Sequence, residues 1–314
     1  MIKWLALIIP FVGFTQSYAP EPGVVGSTAI HKDSSVITYW ADNLSIDRGY
    51  VDISNQSLGL ASHGTVADGE GEADGIAVVS LGDGGVATYS FSVPIQNGSG
   101  PDFAIFENGF ADHYLELAFV EVSSDGQNYF RFPAVIEIQT DVQLGNFDFV
   151  NCGFVNNLAG KYRAEYGTPF DLDELAGTQG LDIDAITSIR IIDVVGSIDP
   201  SYGTYDSNGT IINDPFPTPY TSSGFDLDGL ALLQSYVLGS KTIKEEIRIY
   251  PNPVTDAFTL EVENFVFYEL LDTYGRLVLS GTEEKVSMNV LPSGIYTLRV
   301  LTESGVLVKV VSKL

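Results

Sequence analysis

The sequence predicts an all-β protein: a jelly-roll-like β-sandwich over residues 20–235, followed by a small Ig-like β-sandwich over 247–314. Three observations predict it. Short runs of β-branched and aromatic residues recur along the chain, Gly, Asn and Asp turn-formers separate them, and the 3.6-residue periodicity of amphipathic helices is scarce. Many short strands with such turns form sandwiches or jelly rolls, because a half-buried sheet needs a second sheet over its apolar face.

The first residues have the layout of a secretory signal. Lys3 supplies a positive start, and Trp4 to Phe14 is an apolar run too short to span a bilayer. Cleavage is expected after Ser17, with Ala19 as the later limit because Pro20 follows it. No other run approaches the length of a membrane span, so the mature chain is expected to be soluble outside the inner membrane.

Strands are expected at Ile76–Leu81, Val86–Val93, Phe103–Phe106, Leu117–Val122, Ile189–Val195 and Gly224–Leu233. Val86–Val93 alternates as a half-buried antiparallel strand should. Asp171 is placed to cap a short helical turn, Asp171-Leu-Asp-Glu174. Between Gly196 and Gly224 lies a segment rich in Pro, Asp and Asn with no strand pattern. A stretch that long reads either as a binding loop or as a Pro-stiffened cover over one sheet. As a binding loop it would offer Tyr202, Tyr205 and Tyr220 as stacking surfaces. Residues 236–246 read as a linker.

Charge is unevenly placed. The formal net charge is −26; from Lys241 onward there are 8 Lys+Arg and 10 Asp+Glu, against 7 and 31 before it. The acidic surface repels nucleic acid and anionic lipid, so neither is an expected partner. It leaves solubility and oxygen-rich sites for hard cations, Ca²⁺ above all. Cys152 is the only cysteine, which excludes an intramolecular disulfide. It lacks a recognisable basic partner and is expected to be a buried, unreactive thiol.

Three acidic groups have spacings that suit a structural Ca²⁺. Asp68, Glu70, Glu72 and Asp74 alternate with small residues, so a tight loop could turn them around one ion. Asp102 and Glu107 bracket the apolar run Phe103–Phe106, and Glu107 should point inward with Phe103 and Ile105. Asp226 and Asp228 lie on the same face of the last strand, and would suit shared ligation if buried. For each, a hydrogen-bonded structural carboxylate is the alternative. Catalytic motifs are missing: there is no G-x-S-x-G, no H-E-x-x-H and no phosphate-cradling glycine loop. A glycoside hydrolase would need two facing carboxylates, and Glu107 with Glu121 is the best available pair.

The segments VVSLGDGGVATYSF, DFAIFENGF, VEVSSDGQNYFRFP, NLAGKYRAEYGTPFDLDEL, IRIIDVVG and SGFDLDGLALL, from about Val79 to Leu233, resemble a family of bacterial exported cell-surface β-rich proteins. Members carry various C-terminal sorting tags, including the PEP-CTERM type. The resemblance implies a surface location and no established reaction. Through relatives associated with cobalamin uptake, it also implies an alternative role as a corrinoid-binding accessory. A jelly roll ending in paired Asp is similar, in architecture only, to galactose-binding-like modules that hold a structural Ca²⁺.

The end of the chain carries a sharper resemblance. Pro251, Asn252 and Pro253, then Asp272 and Gly275, then Gly294 and Tyr296 in LPSGIYTLRV, and the terminal KVVSKL with Lys309 and Lys313 closely resemble the type A sorting domain of the Bacteroidota type IX secretion system. The resemblance implies export through the periplasm and across the outer membrane by that machinery. It also implies removal of the module by a sortase-like peptidase, followed by release or surface attachment. The expectation is a secreted or cell-surface, non-enzymatic binding protein with structural Ca²⁺ and a glycan or other small-molecule ligand. A glycan-active hydrolase is the other alternative.

Overall fold

The computed structural model describes residues 18–233, 247–262, 265–273, 276–302 and 305–314. The expected signal segment, the 236–246 linker and Gly275 lie outside the described residues. Contacts divide the chain into two compact units, Met1–Tyr236 and Val237–Leu314. Each is described by itself.

The N-terminal unit is a sandwich of antiparallel sheets. Its strands are β1 (Ile30–His31), β2 (Tyr39–Trp40), β3 (Leu44–Asp47), β4 (Val79–Ser80), β5 (Val86–Ile95), β6 (Phe103–Glu107) and β7 (Ala118–Ser123). Then come β8 (Phe130–Arg131), β9 (Val135–Ile136), β10 (Val155–Asn156), β11 (Tyr166–Phe170), β12 (Ile186–Asp193) and β13 (Asp226–Leu232). One sheet runs β1-β11-β6-β13-β2, with β4 also on β13, and the other runs β3-β5-β12-β7-β8. The main core lies between them: Phe103, Phe170 and Leu230 from the first meet Tyr89, Val120 and Ile191 from the second. All described helical turns are short 3₁₀ segments.

Alternation decides which way each strand faces. In β5 buried and open positions alternate, as expected of a strand with one wet face. In β6 every residue is buried: Phe103 and Ile105 enter the main core, whereas Ala104 and Phe106 pack with Ala73, Ala231 and Leu233 behind the sheet. A third cluster, with Leu115, Leu117, Val150, Cys152 and Ile212, covers the outer side of β7 and β12. Cys152 is buried there, and burial pushes its thiol up to about 11, in keeping with an inert packed side chain. Asp171 caps the turn Leu172–Leu175 by accepting the Asp173 N–H at 3.0 Å.

Two expectations about strands need correction. The strand expected from Ile76 begins only at Val79, and Ile76 is exposed. Asp74 Oδ1 accepts the N–H groups of Ile76 and Ala77, each at 2.7 Å, which holds the backbone in a turn and keeps both donors out of a ladder. The last strand carries a bulge. Leu227 faces Glu107 and Gly229 faces Phe106, so Asp228 is the extra residue, and the shared face expected for Asp226 and Asp228 is lost.

The C-terminal unit is a small seven-strand sandwich. It contains β14 (Arg248–Tyr250), β15 (Ala257–Glu261), β16 (Phe265–Leu271), β17 (Leu277–Gly281), β18 (Lys285–Ser287), β19 (Gly294–Thr302) and β20 (Gly305–Lys313). The sheets are β14-β15-β18 and β17-β16-β19-β20. Phe258, Leu260, Leu270, Leu298, Val300 and Val311 form the core between them.

Candidate ligand-binding site

In the N-terminal unit a cavity of about 360 Å³ opens at the end of the sheet where β6 stops and β13 begins. Three carboxylates line it: Glu107, Glu116 and Asp226. Each arrives there for a local reason. Glu107 is the last residue of β6 and is 1% exposed. Its Oε2 accepts the Gly109 N–H at 2.7 Å. Glu116 sits between Leu115 and Leu117, both packed into the outer core, so alternation turns it the other way. Asp226 opens β13 opposite Ser80, whose hydroxyl donates to Asp226 Oδ1 in a short hydrogen bond.

Aromatic rings rim the same cavity. After Gly109 the chain makes a tight turn, with the Tyr114 N–H donating to the Ala111 carbonyl at 3.1 Å. The turn lays Phe110 on Tyr114, their centroids 4.1 Å apart and their planes at 26°. Phe147 continues the stack, 6.3 Å from Tyr114 at 28°. Tyr220 completes the rim, with its hydroxyl 3.4 Å from Asn146 Nδ2. Phe110 and Phe147 are 70% and 66% exposed, an arrangement water alone does not favour.

Burial shapes the electrostatics. Glu107 is held well above the usual carboxylate range, first by burial and then by the charge of Asp226. Glu116 is raised in the same way, by burial and then by Asp226 and Glu107. Burial pushes Asp226 up to about 6, against the Ser80 hydroxyl and the positive fields of His63 and Arg48. Burial and mutual repulsion thus favour the protonated forms of these groups, and among the described residues the lining contains no Lys, Arg or His to hold them ionised. Arg48 is engaged elsewhere, donating to the carbonyls of His63, Ser80 and Gly64.

The acidic residues singled out in the sequence do not gather around one point. Asp68 Oδ2 accepts the Thr65 N–H and hydroxyl, and Glu70 Oε1 accepts the Leu44 N–H at 2.9 Å. Glu72 is exposed, and Asp74 holds its own turn. Asp228 accepts the N–H groups of Asp74 and Gly75 at 3.0 and 2.9 Å. Asp102 accepts those of Gly98 and Leu172 at the far end of β6. The bulge sends Asp226 to the cavity and Asp228 to the 74–75 turn, so shared ligation by this pair is not formed. Among the described residues no three His, Cys, Asp or Glu side chains are arranged to hold a metal ion. Three of the four carboxylates in the loop expected to wrap an ion, those of Asp68, Glu70 and Asp74, accept backbone donors.

The suggested catalytic pair is also separated. Glu121 lies on β7 in the opposite sheet, with its Oε1 2.8 Å from Arg131 and its Oε2 3.6 Å from Arg190. Of the three tyrosines proposed for stacking, only Tyr220 reaches the cavity, whereas Tyr202 and Tyr205 are exposed outside it. The 196–224 segment is in part a packed cover, with Ile212, Asn213, Asp214 and Phe216 buried, and in part cavity wall, through Thr218, Tyr220 and Ser222. Sequence reasoning passed over Phe110, Tyr114, Glu116 and Phe147. The Leu-Glu-Leu alternation at 115–117 and the aromatic pair four residues apart were the available signals.

In the C-terminal unit the singled-out residues close the sandwich. Pro251 and Pro253 flank Asn252, whose side chain bonds the last strand. Tyr296 donates its hydroxyl to the Pro292 carbonyl at 2.7 Å, and Gly294 pairs with Lys313. Lys313 Nζ donates to the carbonyls of Met288 and Leu291, each at 2.5 Å. Asp272 accepts the Arg276 N–H at 3.0 Å and pairs with its guanidinium at 2.7 Å. Lys309 is exposed on β20.

Comparison with solved structures finds loose likenesses. The apo β-glucuronidase of Ruminococcus gnavus aligns over 90% of this chain and 46% of its own, with 12% identity and a TM-score of 0.23. The β-glucuronidase of Faecalibacterium prausnitzii aligns over 89% and 46%, with 13% identity and a TM-score of 0.20. The BSP domain of a biofilm associated protein aligns over 73% and 48%, with 11% identity and a TM-score of 0.21. The chain spans less than half the length of these proteins, and TM-scores this low leave fold and chemistry to be argued from its own residues. No curated protein matches it. A family model does match at the C-terminus: residues 248–313 fit the secretion system C-terminal sorting domain. The C-terminal unit is thus a type IX secretion sorting domain, and the acidic N-terminal unit is cargo exported to the cell surface or beyond.

Proposed function

We propose that the exported N-terminal unit is a non-enzymatic binding module and that its ligand, a glycan or similar ring compound, occupies the aromatic-rimmed acidic cavity. The observation that carries this reading is the ring stack Phe110–Tyr114–Phe147, with Phe110 and Phe147 exposed, lining the same cavity as Glu107, Glu116 and Asp226. Sugar rings present apolar C–H faces that pack on aromatic planes, while their hydroxyls donate to carboxylates. A rim of rings above a floor of acceptors offers both contacts in one place. The secretion machinery and its sortase-like peptidase act on the C-terminal module, so export and binding use separate parts of the chain.

The test is retention of the purified full-length protein on a glycan array. Tyr114→Ala and Tyr220→Ala should weaken retention, whereas Tyr202→Ala and Tyr205→Ala, outside the cavity, should leave it unchanged. The reverse pattern would move the site to the 199–206 turn. A shift in cobalamin's visible spectrum on adding the protein would favour the corrinoid alternative.

A further inference from the structure

The cavity's chemistry narrows the ligand class, on the reading that it is the binding site. Three carboxylates reach it from separate segments, at the end of β6, at 115–117 and at the start of β13, and among the described residues no cationic side chain lines it. The two nearby arginines are already committed. Arg48 donates to three backbone carbonyls, and Arg163 holds Asp112 at 2.8 Å while lying over the Tyr166 ring. Glu116 has no hydrogen-bond or ion-pair partner among the described residues. The folded protein therefore holds three crowded carboxyl groups neutral by protons instead of an internal cation, and a cation that enters can take the place of those protons.

The rim independently points to a cationic ligand. Aromatic faces carry the negative lobe of the ring quadrupole and attract cations held over them. Phe110, Tyr114, Phe147 and Tyr220 stand over the carboxylates, three of them well exposed, so π faces and acids act on whatever sits between them. A bare divalent ion fits poorly, because the carboxylates do not gather in ligating geometry. An ammonium group fits better, since it needs only one to three acceptors, at about 2.8 Å, and not the six to eight oxygens at about 2.4 Å that a bare Ca²⁺ gathers.

We infer that the cavity selects an amino sugar: a glucosamine-type ring whose primary ammonium sits among Glu107, Glu116 and Asp226 and whose apolar face lies on Tyr114 and Phe147. A neutral sugar brings no positive charge to exchange for the protons on these carboxyl groups, and a uronic acid would add a further negative charge beside them.

The inference is tested with the full-length protein by titration calorimetry in about 150 mM salt, where surface charge is screened beyond roughly 8 Å. The probes are a glucosamine trisaccharide and its fully N-acetylated counterpart, equal in ring and length. The amine should bind with one-to-one stoichiometry at least tenfold more tightly than the acetylated sugar. Glu116→Gln should remove that preference, which bulk charge cannot explain when one of 31 acidic residues ahead of Lys241 is changed. The preference between two probes on the unaltered protein needs no variant to fold, and Glu107→Gln provides a second check. Equal binding of both trisaccharides, weakened by Tyr114→Ala, would overturn the amine selectivity and leave the binding reading standing. Binding of neither trisaccharide, or saturable binding of CaCl₂ alone that Glu116→Gln abolishes, would overturn both.

Discussion

Asn252 and Ser312 are sixty residues apart in sequence, yet the Asn252 side chain pairs with the last strand as a neighbouring backbone would. Its Oδ1 accepts the Ser312 N–H at 2.9 Å and its Nδ2 donates to the Val310 carbonyl at 2.9 Å. The Val254 N–H then donates to the Ser312 carbonyl at 2.8 Å, and the Leu314 N–H donates to the Val254 carbonyl at 2.9 Å. An asparagine offers a donor and an acceptor on one planar group, which neither Asp nor Ala can do. Asn252→Ala should therefore destabilise the sorting domain by about 1–2 kcal/mol. Amide exchange on the full-length protein checks this: Ser312 should lose protection while the core amides of β16 keep theirs. Unchanged protection at Ser312 would refute the latch.

Stability of the cargo should fall as pH rises through neutrality. Burial pushes Asp214 up to about 8 from an ordinary 3.8, with the Leu117 N–H opposing the shift. Its Oδ2 accepts that N–H at 3.0 Å, and its Oδ1 has no partner. The folded state thus keeps a proton that the unfolded chain releases above its ordinary pKa. This contribution is complete below pH 3.8 and is lost as pH climbs to about 8, with a slope of at most about 1.4 kcal/mol per pH unit. Asp83, Asp226 and Asp228, each pushed up to about 6, add to the lower part of that window. Melting should occur at higher temperature at pH 6 than at pH 8, and Asp214→Asn should flatten the difference. A melting temperature that rises with pH over this range would contradict the assignment.

Chelation should leave the cargo's melting temperature unchanged. The oxygens of Asp68, Asp102 and Asp228 already accept backbone N–H groups, so no ion is needed to satisfy them. A drop of several degrees with EDTA would instead restore the structural Ca²⁺ expected from the sequence.

Gly109→Ala should disarm the site while preserving its charge. A methyl there would lie 2.8 Å from Glu107 Oε2 and 2.9 Å from the Tyr114 carbonyl, so the carboxylate must turn away. Ligand affinity should fall roughly tenfold, or about 1.4 kcal/mol. Calorimetry with the best array ligand measures it, and an unaltered affinity would argue that Glu107 does not touch ligand.

The hydrolase alternative has a direct check. Raised carboxylates beside one another could supply an acid and a base, so reducing-end release from polysaccharides is the assay. No release is expected from the binding module. Release abolished by Glu107→Gln would make it an enzyme.

Much of the framework was legible along the chain. The alternation of Val86–Val93, the cap at Asp171 and the turn-punctuated strands depend on neighbours within a few residues, where a single sequence is informative. The 68–74 loop marks a limit of that information: Asp74 and Asp68 bond their own local backbone, and spacing alone cannot show which donor a carboxylate takes. Glu121 failed because strand order is not local. It sits on β7, one sheet away from Glu107, with two arginines around it.

By itself, then, the sequence determined the class of the fold, its division into acidic cargo and near-neutral C-terminal module, and the route of export. Each of these is carried by contiguous pattern or composition. Only the tertiary structure decided where the site lies. The cavity joins residues 107–116, 146–147 and 218–226, which meet because β6 and β13 pair with a bulge at Asp228 and the long cover folds back over their end. A one-residue bulge reverses which side of a strand a carboxylate faces, and that choice is settled by pairing between strands more than a hundred residues apart.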